Sequence, residues 1–130
     1  MPTSGTATYG MLGSAASCTG GGCTTATVNS SSLNVNFGGS PSVGLDMNLT
    51  VNGSGAGTYT RSGSAGTLNG NGTFSLGGTL AGSSGSACNS FNGNGFLSGA
   101  GAVRAGLAWN GTLYYGSTTT INGVTAYVKQ

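Results

Sequence analysis

Side chains able to do acid–base, nucleophilic or metal chemistry are few in this 130-residue sequence. Charged residues make up 3% of it, namely Asp46, Arg61, Arg104 and Lys129, and neither His nor Glu occurs. A Ser-His-Asp arrangement cannot form, and one Asp cannot supply the paired carboxylates of a glycosidase. The Gly-rich stretches lack the Lys and Ser/Thr of a phosphate-binding loop. We therefore expect no enzymatic activity and no cofactor.

Three cysteines, Cys18, Cys23 and Cys88, are the remaining reactive groups. Three thiols without a histidine make a poor zinc set, so we expect no metal site. A disulfide is the better interpretation, and it fits an oxidising compartment. Cys18 bonded to Cys23 would close a small loop, whereas Cys88 bonded to either would join distant loops. We favour the long-range pair and keep the short one as the alternative.

The single acid and a group of late aromatic residues are the other candidates for a functional role. Asp46 lies on the polar face of its predicted strand, where Arg104 or, alternatively, Arg61 is the natural ion-pair partner. Tyr114 and Tyr115 are adjacent, so one of them must face away from the core. Outward aromatic side chains often mark contact surfaces. Together with Trp109, the two tyrosines are therefore predicted to form a contact surface.

The low charge and the lack of long apolar runs exclude some kinds of partner and of membrane segment. A net charge of +2 from so few groups forms no basic patch, so we expect no nucleic-acid binding. No apolar run approaches the roughly 20 residues of a membrane helix. The first residues lack the basic start and apolar stretch of a signal peptide. We expect a piece of a longer exported protein or, alternatively, export without such a signal.

Residues 43–51 carry the strongest structural pattern. Val43, Leu45, Met47, Leu49 and Val51 occupy every second position and alternate with small or polar residues. A β-strand turns successive side chains to opposite faces, so this segment has one apolar and one polar face. Residues 33–37 show the same alternation, and residues 38–42 supply a turn. The two strands are predicted to form an antiparallel hairpin.

Seven Asn-Gly pairs and short alternating segments extend this pattern along the chain. Asn-Gly is the strongest short hairpin signal, so we predict a tight turn at Asn110-Gly111. An uneven apolar phase around Asn122-Gly123 predicts a bulge there. A closed sheet would cover the apolar face and remove unpaired edges. We therefore predict one all-β domain over residues 1–130, an antiparallel up-and-down barrel of about eight strands, with a two-sheet sandwich as the alternative.

Four segments carry a resemblance to a known family. Residues 95–109, 120–127, 2–9 and 33–38 resemble the small β-barrel of transferrin-binding-protein-B-like surface lipoproteins, also found at the C-terminus of some bacterial FecR-domain proteins. Val103 stands where relatives often carry an acid, and Trp109 stands where an aromatic residue is expected. The resemblance implies an eight-stranded barrel at the cell surface, outside the cell or in the periplasm of a bacterium. It does not imply transferrin binding, which depends on loops and domains absent here.

Two hypotheses for function follow. The first is a non-enzymatic binding module that meets a protein partner through the loops at residues 18–23, 82–90 and 99–102. The second is a structural subunit of a self-assembling extracellular filament or surface layer. Near-absent charge removes the repulsion that keeps strand edges apart, so residues 6–11 would pair with a neighbouring subunit.

Overall fold

The protein is all β in this computed structural model, which describes residues 2–20, 22–53, 57–61, 64–82, 90–115 and 117–130. No helix occurs in those ranges. The strands are β1 (Thr6–Thr19), β2 (Cys23–Asn36), β3 (Ser42–Gly53), β4 (Gly57–Arg61), β5 (Ser64–Leu68), β6 (Thr73–Thr79), β7 (Ala81–Gly82), β8 (Ser90–Ser98), β9 (Arg104–Tyr115) and β10 (Ser117–Lys129).

The strands form one antiparallel sheet that closes on itself. The ring runs β1-β2-β3-β5-β6-β8-β9-β10 and returns to β1. β4 pairs with the second half of β3, beyond the part of β3 that pairs with β5, and β7 pairs with β4. These two short strands therefore continue the sheet where β5 and β6 end. Closure gives a barrel-like arrangement in which every strand of the ring has a neighbour on each side. The prediction of an all-β, closed antiparallel fold is confirmed.

The predicted hairpin of residues 33–51 is present with both its faces as expected. Leu33 lies opposite Leu45, and Val35 lies opposite Val43. All five alternating apolar residues of β3 are at most 3% exposed. The hairpin therefore supplies a continuous apolar stripe of the barrel interior. β2 begins earlier in the chain than the pattern indicated, and its pairing with β3 continues through a register shift between Val28 and Ser30.

Two predictions based on Asn-Gly pairs are wrong. β9 runs unbroken through Asn110-Gly111, and β10 keeps its register on both neighbours through Asn122-Gly123. The bulge lies instead in β1, between Met11 and Gly13. In both strands the Asn points outward and is exposed, while the Gly points inward. Each of these two Asn-Gly pairs therefore supplies one outward and one inward residue of a continuous strand and does not form a turn.

The inward glycines make room for large side chains in the narrow interior. A Cβ added at Gly123 would lie 2.3 Å from Cζ2 of Trp109, and one added at Gly95 would lie 2.3 Å from Cζ of Phe74. Each ring thus lies directly over a bare backbone on a neighbouring strand. Covering a strand glycine with an aromatic ring is a known way to restore the packing that glycine lacks.

One end of the ring is closed by its own loop. Residues 99–102 fold so that Ala102 is 2% exposed and adopts a φ of 55°. The buried Tyr9 hydroxyl donates a hydrogen bond of 2.6 Å to the Ala102 carbonyl oxygen. A positive φ is uncommon for a residue with a Cβ, and the bond and the burial of Ala102 hold it in place. This loop is therefore part of the barrel closure.

The glycine–aromatic contact predicts a sharp difference between two strand glycines. Gly123→Ala would force Trp109 to move, and we expect a loss of about 1–3 kcal/mol, as for other overpacked interiors. Gly13→Ala adds a methyl group where nothing lies within 4 Å, so its effect should be within about 0.5 kcal/mol. Urea unfolding followed by Trp fluorescence measures both. Equal effects of the two variants would contradict the proposed packing.

Two buried phenols predict how stability depends on alkaline pH. Burial raises the pKa of Tyr9 and of Tyr127 above the ordinary 10.0, although hydrogen bonds from Ser31 and Thr125 oppose the rise at Tyr127. The unfolded chain then loses these protons first, so stability is retained below about pH 10 and falls as pH rises further. Thermal unfolding between pH 8 and 11.5 should show this decline, with a shallower slope in Tyr127→Phe. An unchanged slope in that variant would refute the assignment.

Candidate contact surface on the outer wall

The outer wall formed by β8, β9, β10 and β1 carries a regular grid of side chains. Strand register aligns its outward residues in rows across the four strands. In that strand order the rows are Ser98–Arg104–Val128–Gly10, Phe96–Gly106–Ala126–Gly13, Asn94–Ala108–Val124–Ala15 and Asn92–Asn110–Asn122–Ser17. The two middle rows are mostly apolar or small, and they lie between a row with Arg104 and a row of amides.

The middle rows enclose an open groove of ≈ 530 Å³. Phe96 and Val124 are its largest exposed side chains, and they are 54% and 55% exposed. Its lining residues are Gly13, Ser14, Ala15, Asn94, Phe96, Gly106, Leu107, Ala108, Val124, Thr125 and Ala126. None of these lining residues is charged, so the floor of the groove is apolar or uncharged along its whole length.

The Phe96 ring lies against the glycine beside it on the neighbouring strand. A Cβ at Gly106 would meet the Phe96 ring at 2.8 Å, so the ring lies against the backbone of β9. This is the same glycine–aromatic contact as in the interior, but on the solvent side. The ring keeps one face open to water and forms a fixed edge of the groove.

Trp109, one of the predicted contact residues, lies in the interior. It is 3% exposed and stacks on Phe91 with ring centroids 5.9 Å apart. Its indole N–H donates to the Thr125 hydroxyl at 3.1 Å, so the buried donor is satisfied. The prediction of a surface role for Trp109 is wrong because position 109 shares the inward phase of Leu107 and Leu113.

The contact predictions for Tyr114 and Tyr115 remain open. Tyr114 and Tyr115 occupy the last two positions of β9, where their backbone lies opposite Thr118 and Ser117. Their side chains fall outside the described part of the chain, so their contact role stays a prediction. Cys88 also lies outside the described residues.

Asp46 and Arg104 do not form the predicted ion pair. The register links them through Val128, Gly10 and Ser32, which places them four strands apart around the ring. At about 4.8 Å between strands, this path is about 19 Å long. The Asp46 carboxylate instead accepts a hydrogen bond from the Asn34 amide at 3.5 Å. The sequence pattern placed Asp46 on the outward face correctly but carried no information about which wall of the barrel Asp46 and Arg104 occupy.

A polar recess of ≈ 430 Å³ surrounds Asp46 on the opposite wall. It is lined by Thr6, Ala7, Thr8, Asn34, Val35, Asn36, Ser42, Gly44 and Asp46. Several of its polar groups bond one another, as when the Thr8 hydroxyl donates to Asn34 at 3.2 Å. Among the described residues, no group of His, Cys, Asp or Glu side chains is suited to hold a metal ion. The recess therefore offers weaker grounds for a site than the groove.

The disulfide joins Cys18 to Cys23, five residues apart in sequence. The favoured long-range pairing of either residue with Cys88 is therefore wrong. The bond joins β1 and β2 in a part of the hairpin that has no ladder pairs between them, because these two strands pair only between residues 6–10 and 32–36. It holds the distal part of this hairpin together, and such a bond indicates an oxidising location outside the cytoplasm.

The groove was missed by sequence reasoning although one signal pointed to it. In β10, Ile121 and Tyr127 face inward, whereas Val124, Ala126 and Val128 face outward. The uneven apolar phase that suggested a bulge thus reflects two apolar series on opposite faces. A strand with apolar residues on both faces is buried on both or presents one to a partner.

Comparison of the chain with protein-family models, with curated proteins and with solved structures found no match in any of the three. Within the described ranges, no helix has the length and hydropathy needed to cross a membrane.

The disulfide assignment predicts a defined effect of removing it. Closing a loop of this size should stabilise the fold by about 2 kcal/mol through restriction of the unfolded chain. We expect the Cys18→Ser, Cys23→Ser double variant to lose that amount in urea unfolding. Peptide mapping without reductant should recover the peptide that contains both Cys18 and Cys23 lighter by two hydrogen atoms than the same peptide after reduction. A fragment linking Cys88 to either residue would contradict the assignment.

Proposed function

We propose that this chain is a non-enzymatic β-barrel module of the bacterial cell surface, extracellular space or periplasm, and that it binds a protein partner through the outer groove. The observation that carries the proposal is the exposed apolar groove, with Phe96 and Val124 more than half exposed. Contiguous apolar surface on an otherwise polar wall typically marks an interaction site. Phe96 is held by Gly106 before any partner arrives, which lowers the entropy cost of binding.

The loops contribute less to this proposal than the sequence suggested. The loop at residues 99–102 is engaged in closing the barrel through Tyr9. Residues 83–89 of the second predicted loop lie outside the described residues. The disulfide-bonded turn remains a candidate for a secondary contact, because it projects beyond the last ladder pair of β1 with β2.

The compartment is proposed on two grounds. The disulfide supports an oxidising location. The resemblance of four segments to the barrel of transferrin-binding-protein-B-like lipoproteins supports the bacterial surface, extracellular space or periplasm, and the closed antiparallel sheet is consistent with it. The absence of His and Glu supports a role without catalysis.

A filament subunit is the competing proposal, but most of its expected edge already has strand partners. Residues 6–11 were expected to pair with a neighbouring subunit; residues 6–10 pair with β2, and residues 9–11 pair with β10. Self-assembly by strand addition at that edge would require breaking existing pairs. Near-absent charge still favours self-association, so it is an outcome that the experiments must detect.

Binding of an uncharged apolar probe tests the groove directly. Titration with N-phenyl-1-naphthylamine should show one site, and Phe96→Ser should weaken it about tenfold through loss of apolar contact. Val124→Thr should weaken it in the same direction. Val103→Thr is the matched control, because Val103 is also exposed but does not line the groove. Equal affinity in all four proteins would contradict a binding groove.

A further inference from the structure

The groove has chemically distinct ends as well as an apolar middle. Along β9 the outward residues are Arg104, Gly106, Ala108 and Asn110, in that order. Arg104 is exposed at one end, and the exposed amides of Asn92, Asn110 and Asn122 form a row at the other. A ligand lying along the strands would therefore meet a cation, then apolar surface, then amides.

The charges of the molecule reinforce this polarity. Lys129 follows Val128, the ladder partner of Arg104, but it shares the inward phase of Tyr127, so Arg104 is the cation that belongs to the outer wall at this end of the groove. Asp46, the only acidic side chain, is on the opposite wall, four strands away. The carboxyl side chain able to neutralise Arg104 within the chain is thus out of reach. An acidic group on a partner would meet the uncompensated positive charge of Arg104.

The length of the groove defines the size of the partner. Six residues of extended strand separate Arg104 from Asn110, which corresponds to about 20 Å. An extended peptide of about six residues spans that distance. The amide row supplies donors and acceptors for a peptide backbone at the far end, where an acyl chain would find no apolar surface.

We propose that the groove binds an extended protein segment whose central residues are apolar and whose residue at the Arg104 end is acidic. This inference rests on the proposed function and names the chemistry of its partner. The apolar side chains occupy the space over Gly106, Ala108 and Ala126, beside Phe96. The carboxylate contacts Arg104, and this contact fixes the direction in which the segment lies.

Selection from a displayed library of random heptapeptides on the full-length, disulfide-bonded protein tests the proposal. We expect the enriched peptides to carry two or three apolar residues next to an Asp or Glu on one side. For a synthetic peptide from that set, replacing the acid by its amide should weaken binding about threefold to fivefold, as for an exposed ion pair. Against Arg104→Gln the same replacement should have no effect, which isolates the pairwise contact.

Control variants separate failure of this inference from failure of the proposed function. Asp46→Asn removes one charge on the opposite wall and should leave peptide affinity unchanged, whereas Phe96→Ser should abolish enrichment. Enrichment that depends on Phe96 but shows no acidic preference, or no coupling to Arg104, would overturn this inference alone. No Phe96-dependent enrichment at all would also contradict the proposed function.

Two other occupants give distinguishable results. Sedimentation with phosphatidylglycerol vesicles that requires Arg104, in the absence of peptide binding, would overturn the proposal in favour of a lipid surface. A concentration-dependent dimer in size-exclusion chromatography that is lost in Phe96→Ser would place a second copy of this chain in the groove and would overturn it as well.

Discussion

Contact between aromatic rings and bare glycine backbone is the interaction on which this barrel depends. The interior is too narrow to hold Trp109 beside a side chain at position 123, or Phe74 beside one at position 95. Glycine at those positions lets each ring lie flat across the neighbouring strand. Closure of the sheet, burial of the rings and satisfaction of the Trp109 N–H by Thr125 are therefore achieved together.

The outer wall follows from the same constraint. Because strand residues alternate in direction, an inward glycine leaves its neighbours facing outward, and in three strands one of those neighbours is an asparagine. Register then brings Asn92, Asn110 and Asn122 side by side. Where small residues face outward instead, as at Gly106 and Ala126, the wall is recessed and Phe96 lies across the gap. The groove and the amide row thus have the same origin, which is the placement of glycine and other small residues at alternating positions of these strands.

The sequence predicted the fold better than the site. Alternation in residues 43–51 predicts a two-faced strand because burial and period follow directly from the side chains. The predictions at Asn110-Gly111 and Asn122-Gly123 were wrong because an Asn-Gly pair in the sequence looks the same in two situations. It can form a tight turn, or it can place an inward glycine beneath an aromatic ring within a continuous strand. Trp109 was misplaced for a related reason, since its phase depends on where β9 begins. The groove requires the register of four strands, which no local pattern contains.

The Asn-Gly pairs inside the strands have a further chemical consequence. In flexible segments such a pair ages when the backbone nitrogen of the glycine attacks the side-chain carbonyl carbon of the asparagine and ammonia leaves. Water then opens the resulting succinimide to aspartate or isoaspartate. The extended backbone of β8, β9 and β10, paired on both sides, withholds the conformation that this reaction needs. The fold thereby protects the amide row from slow conversion to carboxylates.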